Sequence, residues 1–167
     1  MLRKIFAALA TAAILALVVQ PALAQTSTLT GSWQLTLVPN LPPGPPIIPI
    51  AGLANFTSDG GAVATAAGVI VGSDPSLSGT GLNPAFGNWN GAVIPGEFAI
   101  VLVGDITAAN GALVATRNFR ALVTFPQSNE FTGSYTLTIT DTSGNVLSSG
   151  SGTITGNFIP HFLPPGS

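Results

Sequence analysis

Apolar and polar residues alternate one by one along the C-terminal third of the chain. Between Phe131 and Thr140, the odd positions are apolar or glycine and every even position is Thr or Ser. Because successive side chains of a β-strand point to opposite faces, this period of two predicts a strand with one buried face and one hydroxyl-bearing face in water. Residues 32–37 follow the same pattern. Burial on one face only is typical of antiparallel sheets, so the pattern favours an antiparallel sheet.

Turn signals divide the rest of the chain into further strands of this kind. Asn110-Gly111 and Asp141-Thr-Ser-Gly144 are examples of sequences that favour tight hairpins. The predicted strands cover residues 31–38, 50–57, 62–71, 86–91, 97–107, 112–125, 130–140 and 145–159. The predicted fold class is therefore all-β, an antiparallel up-and-down barrel of about eight strands, with a β-sandwich as the alternative. Closure is favoured because an open sheet with so few charged residues would expose an unprotected edge.

Two segments interrupt the succession of strands. Residues 41–49 contain five prolines, which cannot donate ladder hydrogen bonds, and we interpret this segment as a stiff polyproline-like connector. A recognition arm is the alternative interpretation. Residues 72–84 are rich in Gly and Ser, and they predict a flexible loop.

The N-terminus has the pattern of a signal peptide. Arg3 and Lys4 precede an apolar run over residues 5–19, and Ala22-Leu-Ala24 follows as a cleavage sequence. We therefore expect a signal peptide at 1–24 and a single β-barrel domain at 25–167. Since the chain contains no cysteine that could be acylated, we expect a secreted or periplasmic protein without a stable membrane anchor after cleavage.

Composition excludes several kinds of partner and cofactor. Hydrophobic residues make up 46% of the chain and charged residues only 6%, which is typical of a folded protein and not of a disordered one. Beyond residue 24 only two cations remain, Arg117 and Arg120, so we predict no nucleic-acid binding. The absence of cysteine and the single histidine, His161, predict no metal site, and no motif predicts a cofactor. Oligomeric state is left without a prediction.

Catalytic chemistry has little support in the residues. A hydrolytic Ser or Thr nucleophile needs a base beside its hydroxyl, and the only imidazole lies in the proline-rich C-terminal tail. The six carboxylates fall mostly at turns or strand ends, where turn chemistry accounts for them. We name no catalytic residue, and the pattern favours a protein that is not an enzyme.

Four side chains are candidates for binding a ligand inside the barrel. Arg117 lies on the apolar face of its predicted strand, where a cation needs a partner. One hypothesis pairs it with Asp105 across the Asn110-Gly111 hairpin or places it at the barrel rim; the other makes it an anchor for a ligand's carboxylate or carbonyl. Trp33, Trp89 and Tyr135 combine a flat apolar face with a hydrogen-bonding tip, which suits either the core or the orientation of a small apolar guest.

The opening of the first strand resembles a known barrel superfamily. Gly31-Ser-Trp33, repeated as Gly87-Asn-Trp89, is similar to the Gly-x-Trp signature of the calycins, the lipocalins and avidins. This resemblance implies an eight-stranded up-and-down barrel that carries a small hydrophobic molecule. Segments such as 131–135, 141–146 and 152–156 also resemble a group of small secreted bacterial proteins, and that likeness implies a shape without an activity.

Four functions are consistent with these observations. The leading hypothesis is a secreted or periplasmic calycin-like protein that binds a small hydrophobic molecule in the barrel. The alternative is a filled structural or surface-interaction barrel without a ligand. A small barrel cyclase or isomerase and an outer-membrane barrel rank lower, the latter because the predicted threonine face suits water better than lipid.

Overall fold

The computed structural model of the protein describes residues 28–42, 48–66, 77, 80–92 and 94–160. They form eight strands: β1 (Gly31–Pro39), β2 (Ile50–Phe56), β3 (Gly61–Ala66), β4 (Gly81–Gly91), β5 (Glu97–Thr107), β6 (Leu113–Gln127), β7 (Glu130–Asp141) and β8 (Val146–Phe158). The predicted signal peptide, residues 43–47 of the proline-rich connector, most of the predicted loop 72–84 and His161 lie outside the described residues.

The eight strands close into one antiparallel up-and-down barrel. Each strand pairs with the next along the chain, and β1 also pairs with β8, from Trp33 opposite Phe158 to Pro39 opposite Gly152. The predicted fold class is confirmed in its barrel form rather than as the alternative sandwich. No helix among the described residues is long and apolar enough to cross a membrane.

Strand bounds agree with the prediction to within two residues except around the connection between β3 and β4. β3 is described as far as Ala66, and residues 67–71, which were predicted to continue it, lie outside the described residues. β4 begins at Gly81 rather than at residue 86, so residues 81–84 of the predicted flexible loop belong to a strand. Its pairing with β5 shifts register between Leu82 and Ala85, at a bulge that contains Pro84. Proline is tolerated there because a bulged residue makes no ladder hydrogen bond.

The alternating residues of β7 point to opposite faces of the barrel wall, as predicted. Phe131, Tyr135, Leu137 and Ile139 are buried, while the Thr and Ser residues between them are exposed or half-buried. The outer face is not uniform around the barrel, because large exposed apolar side chains stand on several strands. On β2, β4, β5 and β6 they include Leu53, Phe86, Val101, Val103 and Leu122, and on β8 they are Val146 and Phe158.

The two ends of the barrel are built differently. At the end where β1 begins, here called the aromatic end, Trp33 packs at ring-centroid distances of 5.7 Å from Phe125, 5.0 Å from Phe131 and 5.3 Å from Phe158. Leu29, before β1, is fully buried against the same core. At the opposite end, here called the mouth, the chain makes its two longest connections, β1 to β2 and β3 to β4. Leu77, within the latter connection, is buried in the core cluster.

Small residues form a row across the inner wall on one side of the barrel. Ala54, Ala64, Ala85 and Gly104 are successive cross-strand partners on β2, β3, β4 and β5, and Gly104 is paired with Arg117 on β6. The three alanines and Gly104 are all buried. Because these residues have at most a methyl side chain, they leave space that larger residues would fill, and this space becomes the candidate site.

Candidate functional site in the barrel interior

A cavity of about 60 Å³ lies between the row of small residues and the facing strands. Its lining reaches the mouth end of several strands and comprises Leu35, Leu37, Ala64, Thr65, Ala66, Leu82, Ala85, Leu102, Ile106, Arg117, Phe119, Leu137 and Ile139. A volume of ~10–15 Å³ suffices for one water molecule on this kind of measure, so the space holds a guest of about four to six non-hydrogen atoms. The lining is almost wholly aliphatic, and Arg117 is its one charged residue.

Arg117 is half-buried and lies across the small-residue row. A Cβ built on Gly104 would lie 2.7 Å from Nε of Arg117, which shows that the arginine stem rests on the bare backbone of Gly104. The Nη2 group donates a hydrogen bond to the backbone carbonyl oxygen of Asn83 at the β4 bulge. Nε is buried and has no hydrogen-bond partner. Burial lowers the pKa of the Arg117 guanidinium from its usual range.

The hypothesis that Arg117 pairs with Asp105 across the hairpin is wrong. Arg117 is paired across the sheet with Gly104, and Asp105 with Thr116, so the two charged side chains stand on opposite faces of the barrel wall. Asp105 is exposed on the outside. No side chain supplies a negative charge to the cavity among the residues named in its lining.

Tyr135 lies beside the cavity and outside its lining. Its ring stacks on Phe119, with centroids 5.4 Å apart and planes inclined by 21°, and Phe119 in turn borders the cavity. The side chain is 2% exposed, and its hydroxyl is buried without a hydrogen-bond partner against Gly152. Burial raises the pKa of this phenol above its ordinary value of 10.0.

The two tryptophans of the predicted site lie towards the aromatic end. Trp33 is 1% exposed, and its Nε1 donates a 2.7 Å hydrogen bond to the carbonyl oxygen of Leu29. Trp89 is half-buried against Phe98, with Nε1 donating to the carbonyl oxygen of Thr57 at 2.9 Å. In both residues the indole N–H donates to a backbone carbonyl oxygen, so both side chains act here as packing residues of the barrel.

Of the four predicted site residues, only Arg117 lines the cavity as described. The remaining lining residues were not predicted from the sequence. The aliphatic lining residues carry no chemical signal, since inward leucines and isoleucines are equally typical of a filled core. The row of small residues is a signal that was available. Alanine or glycine recurs at inward positions of β2, β3, β4 and β5, where a filled barrel would be expected to place larger side chains.

The structure shows no metal site among the residues that it describes. In that part of the chain, no group of three or more His, Asp or Glu side chains is close enough to hold a metal ion.

Compared with known proteins, the chain matches no protein-family model and no curated protein.

Proposed function

We propose that this barrel binds a small apolar molecule in the cavity between the small-residue row and the strands facing it. The observation that supports the proposal most directly is the hollow itself. A barrel of eight strands either fills its interior with side chains or leaves room for one small ligand. Here the aromatic end is filled by packed rings, whereas the mouth half retains a space of about 60 Å³ with an aliphatic lining.

The proposal includes the setting in which the barrel works. The N-terminal pattern of residues 1–24 supports export to the periplasm or the medium. The hydroxyl-bearing outer face of β7 supports an exterior that stands in water. A lipocalin-like or avidin-like carrier is the functional class that these features favour, by analogy of shape and of the Gly-x-Trp opening.

The test uses 1-butanol as a probe that matches the size of the cavity. Methyl-resolved NMR of the protein should show saturable shifts at Leu37, Ile106 and Ile139, which line the cavity, and smaller shifts at Val101 and Val103 on the outer face. Equal shifts inside and outside would mean non-specific partitioning, and the proposal would then be abandoned in favour of a filled structural barrel.

A space-filling variant provides the matched control. Ala64→Leu replaces a methyl group that lines the cavity with the larger isobutyl group, whereas Ala51→Leu makes the same replacement at an exposed position on β2. We expect the first variant to abolish saturable butanol binding and the second to leave it unchanged. Native mass spectrometry of protein purified from its own host then identifies the retained molecule.

A further inference from the structure

The interior of the barrel contains a cation whose charge the described residues do not balance. Arg117 borders the cavity, and the acidic residue nearest to it along the neighbouring strand, Asp105, faces outwards. The five carboxylates of the described part all lie at turns, at strand ends or on the outer face; they are Asp59, Glu97, Asp105, Glu130 and Asp141. A buried charge is costly unless a partner of opposite charge and hydrogen bonds compensate it.

The hydrogen bonding of this guanidinium is also incomplete. An arginine has five N–H donors in a planar fork. In this structure Nη2 donates to the carbonyl oxygen of Asn83, while Nε is buried without an acceptor. The remaining lining is aliphatic except for Thr65 and the ring of Phe119. A purely apolar guest would fill the cavity and leave these donors without partners.

We propose that the ligand is a short monocarboxylate, whose carboxylate is held by Arg117 and whose aliphatic chain lies against the leucines and isoleucines of the cavity. This inference rests on the proposed function, since it names the chemistry of the molecule that occupies the same cavity. A single anion matches a single cation, and the two oxygens of a carboxylate suit the planar fork of arginine. The space of about 60 Å³ limits the chain to a few carbons.

The small-residue row explains how the sequence permits this arrangement. Gly104 lets the arginine stem lie flat on the wall, and Ala85, on the next strand, is also within contact distance of a Cβ built on Gly104. The carbonyl of Asn83 is available at the end of the stem because the β4 bulge interrupts the ladder there. Among the described residues, Arg117 therefore makes one hydrogen bond, through Nη2, and its buried Nε keeps an N–H donor without a partner.

The experiment compares butanoate with 1-butanol, which differ at the polar end, by isothermal titration calorimetry at pH 7. We expect the wild-type protein to bind butanoate about ten- to a hundredfold more tightly than 1-butanol, as a charge-assisted hydrogen-bonded pair in a partly buried site provides. Arg117→Met should lose this preference and retain 1-butanol binding. Arg120→Met removes the same charge from the exposed outer face of β6 and should change neither affinity.

Three further measurements test the inference if Arg117→Met does not fold. Arg117→Lys keeps the charge and loses the planar fork, so we expect a reduced preference for butanoate. In the wild-type protein, lowering the pH through ~4–5, where carboxyl groups take up a proton, should remove the preference. Formate, which lacks the aliphatic chain, should bind much more weakly than butanoate.

Three results would overturn the inference. They are equal affinity for butanoate and 1-butanol in the wild-type protein, a preference for butanoate that survives in Arg117→Met, and formate binding as tight as that of butanoate. If 1-butanol binds and any of these is observed, the proposed apolar-ligand function stands without the carboxylate. If neither probe shows saturable binding in the wild-type protein, the proposed function itself fails.

Discussion

Replacing Gly156 with alanine should destabilise the barrel far more than the size of one methyl group suggests. Gly156 lies on β8 directly opposite Phe131 of β7, and the ring of Phe131 covers its backbone. A Cβ added at Gly156 would lie 2.8 Å from Cδ1 of Phe131 and nearer still to Cε1 and Cζ. Carbon atoms in favourable contact are ~3.5–4.0 Å apart, so the ring would have to move by roughly 1 Å or more.

The ring has nowhere to move without disturbing the aromatic end. Phe131 is fully buried, and its centroid is 5.0 Å from that of Trp33 and 6.1 Å from that of Phe125. Overpacking of this kind costs ~1–3 kcal/mol. We expect a loss of about 2–3 kcal/mol in the free energy of unfolding, because rings on two sides resist the shift. At about 3 °C per kcal/mol for a domain of this size, Tm should fall by about 6–9 °C.

Urea denaturation followed by tryptophan fluorescence measures this effect, and Gly150→Ala is the control on the same strand. A Cβ at Gly150 meets nothing within 4 Å, so that variant should be unchanged or up to ~1 kcal/mol more stable. Combining Gly156→Ala with Phe131→Leu should recover at least about 1 kcal/mol relative to the sum of the single changes. The reasoning is refuted if Gly156→Ala is as stable as Gly150→Ala, or if the cycle shows no coupling.

Three other variants test the interior and one turn. Gly104→Ala places a Cβ 2.7 Å from Nε of Arg117, so it should displace the guanidinium. We expect butanoate affinity to fall by about tenfold and 1-butanol affinity to stay the same. Equal losses of affinity for the two probes in calorimetry would contradict this. Tyr135→Phe removes a buried hydroxyl without a partner, so stability in urea should stay the same or rise by up to ~1 kcal/mol, and a clear loss would show that the hydroxyl is bonded. Hydrogen bonds from Asn145 lower the pKa of Asp141 below 3.8, so the folded state binds this proton less readily than the unfolded chain does. The stabilisation is present above about pH 4 and is lost as pH falls through the lowered pKa. The unfolding midpoint of Asp141→Ala should therefore approach that of the wild type in acid. A difference between the two midpoints that stays constant from about pH 6 to about pH 2 would disprove this.

The barrel was predictable because strands such as β1 and β7 alternate between apolar and polar residues and most of the connections are short turns. On β7 every outward residue from Thr132 to Thr140 is Thr or Ser, so the direction of each side chain follows from the sequence. The start of β4 was less accessible, since Pro84 reads as a loop residue and its place in a bulge depends on pairing with β5.

The partner of Arg117 could not be derived for a related reason. On β5, Val101 and Val103 point outwards, so both faces of this strand look apolar and the sequence does not say which face is buried. The pairing register then determines which side chains of β5 face the interior, and a shift of one residue exchanges the two faces. The register observed places Gly104 opposite Arg117 and sends Asp105 outwards. Arg117 itself was recognisable as an unusual residue from its apolar neighbours along β6.

The seam between β1 and β8 makes the order of synthesis matter for this chain. Seven of the eight strand pairings join neighbours and can form as soon as a hairpin is complete, but the eighth needs the last strand. Until β8 is available, β1 presents a row of unpaired backbone groups, and no Lys, Arg, Asp or Glu lies within β1 to discourage another chain from adding to it. The hazard of aggregation is thus concentrated in the interval before the C-terminal strand is released, and it ends when the ring closes.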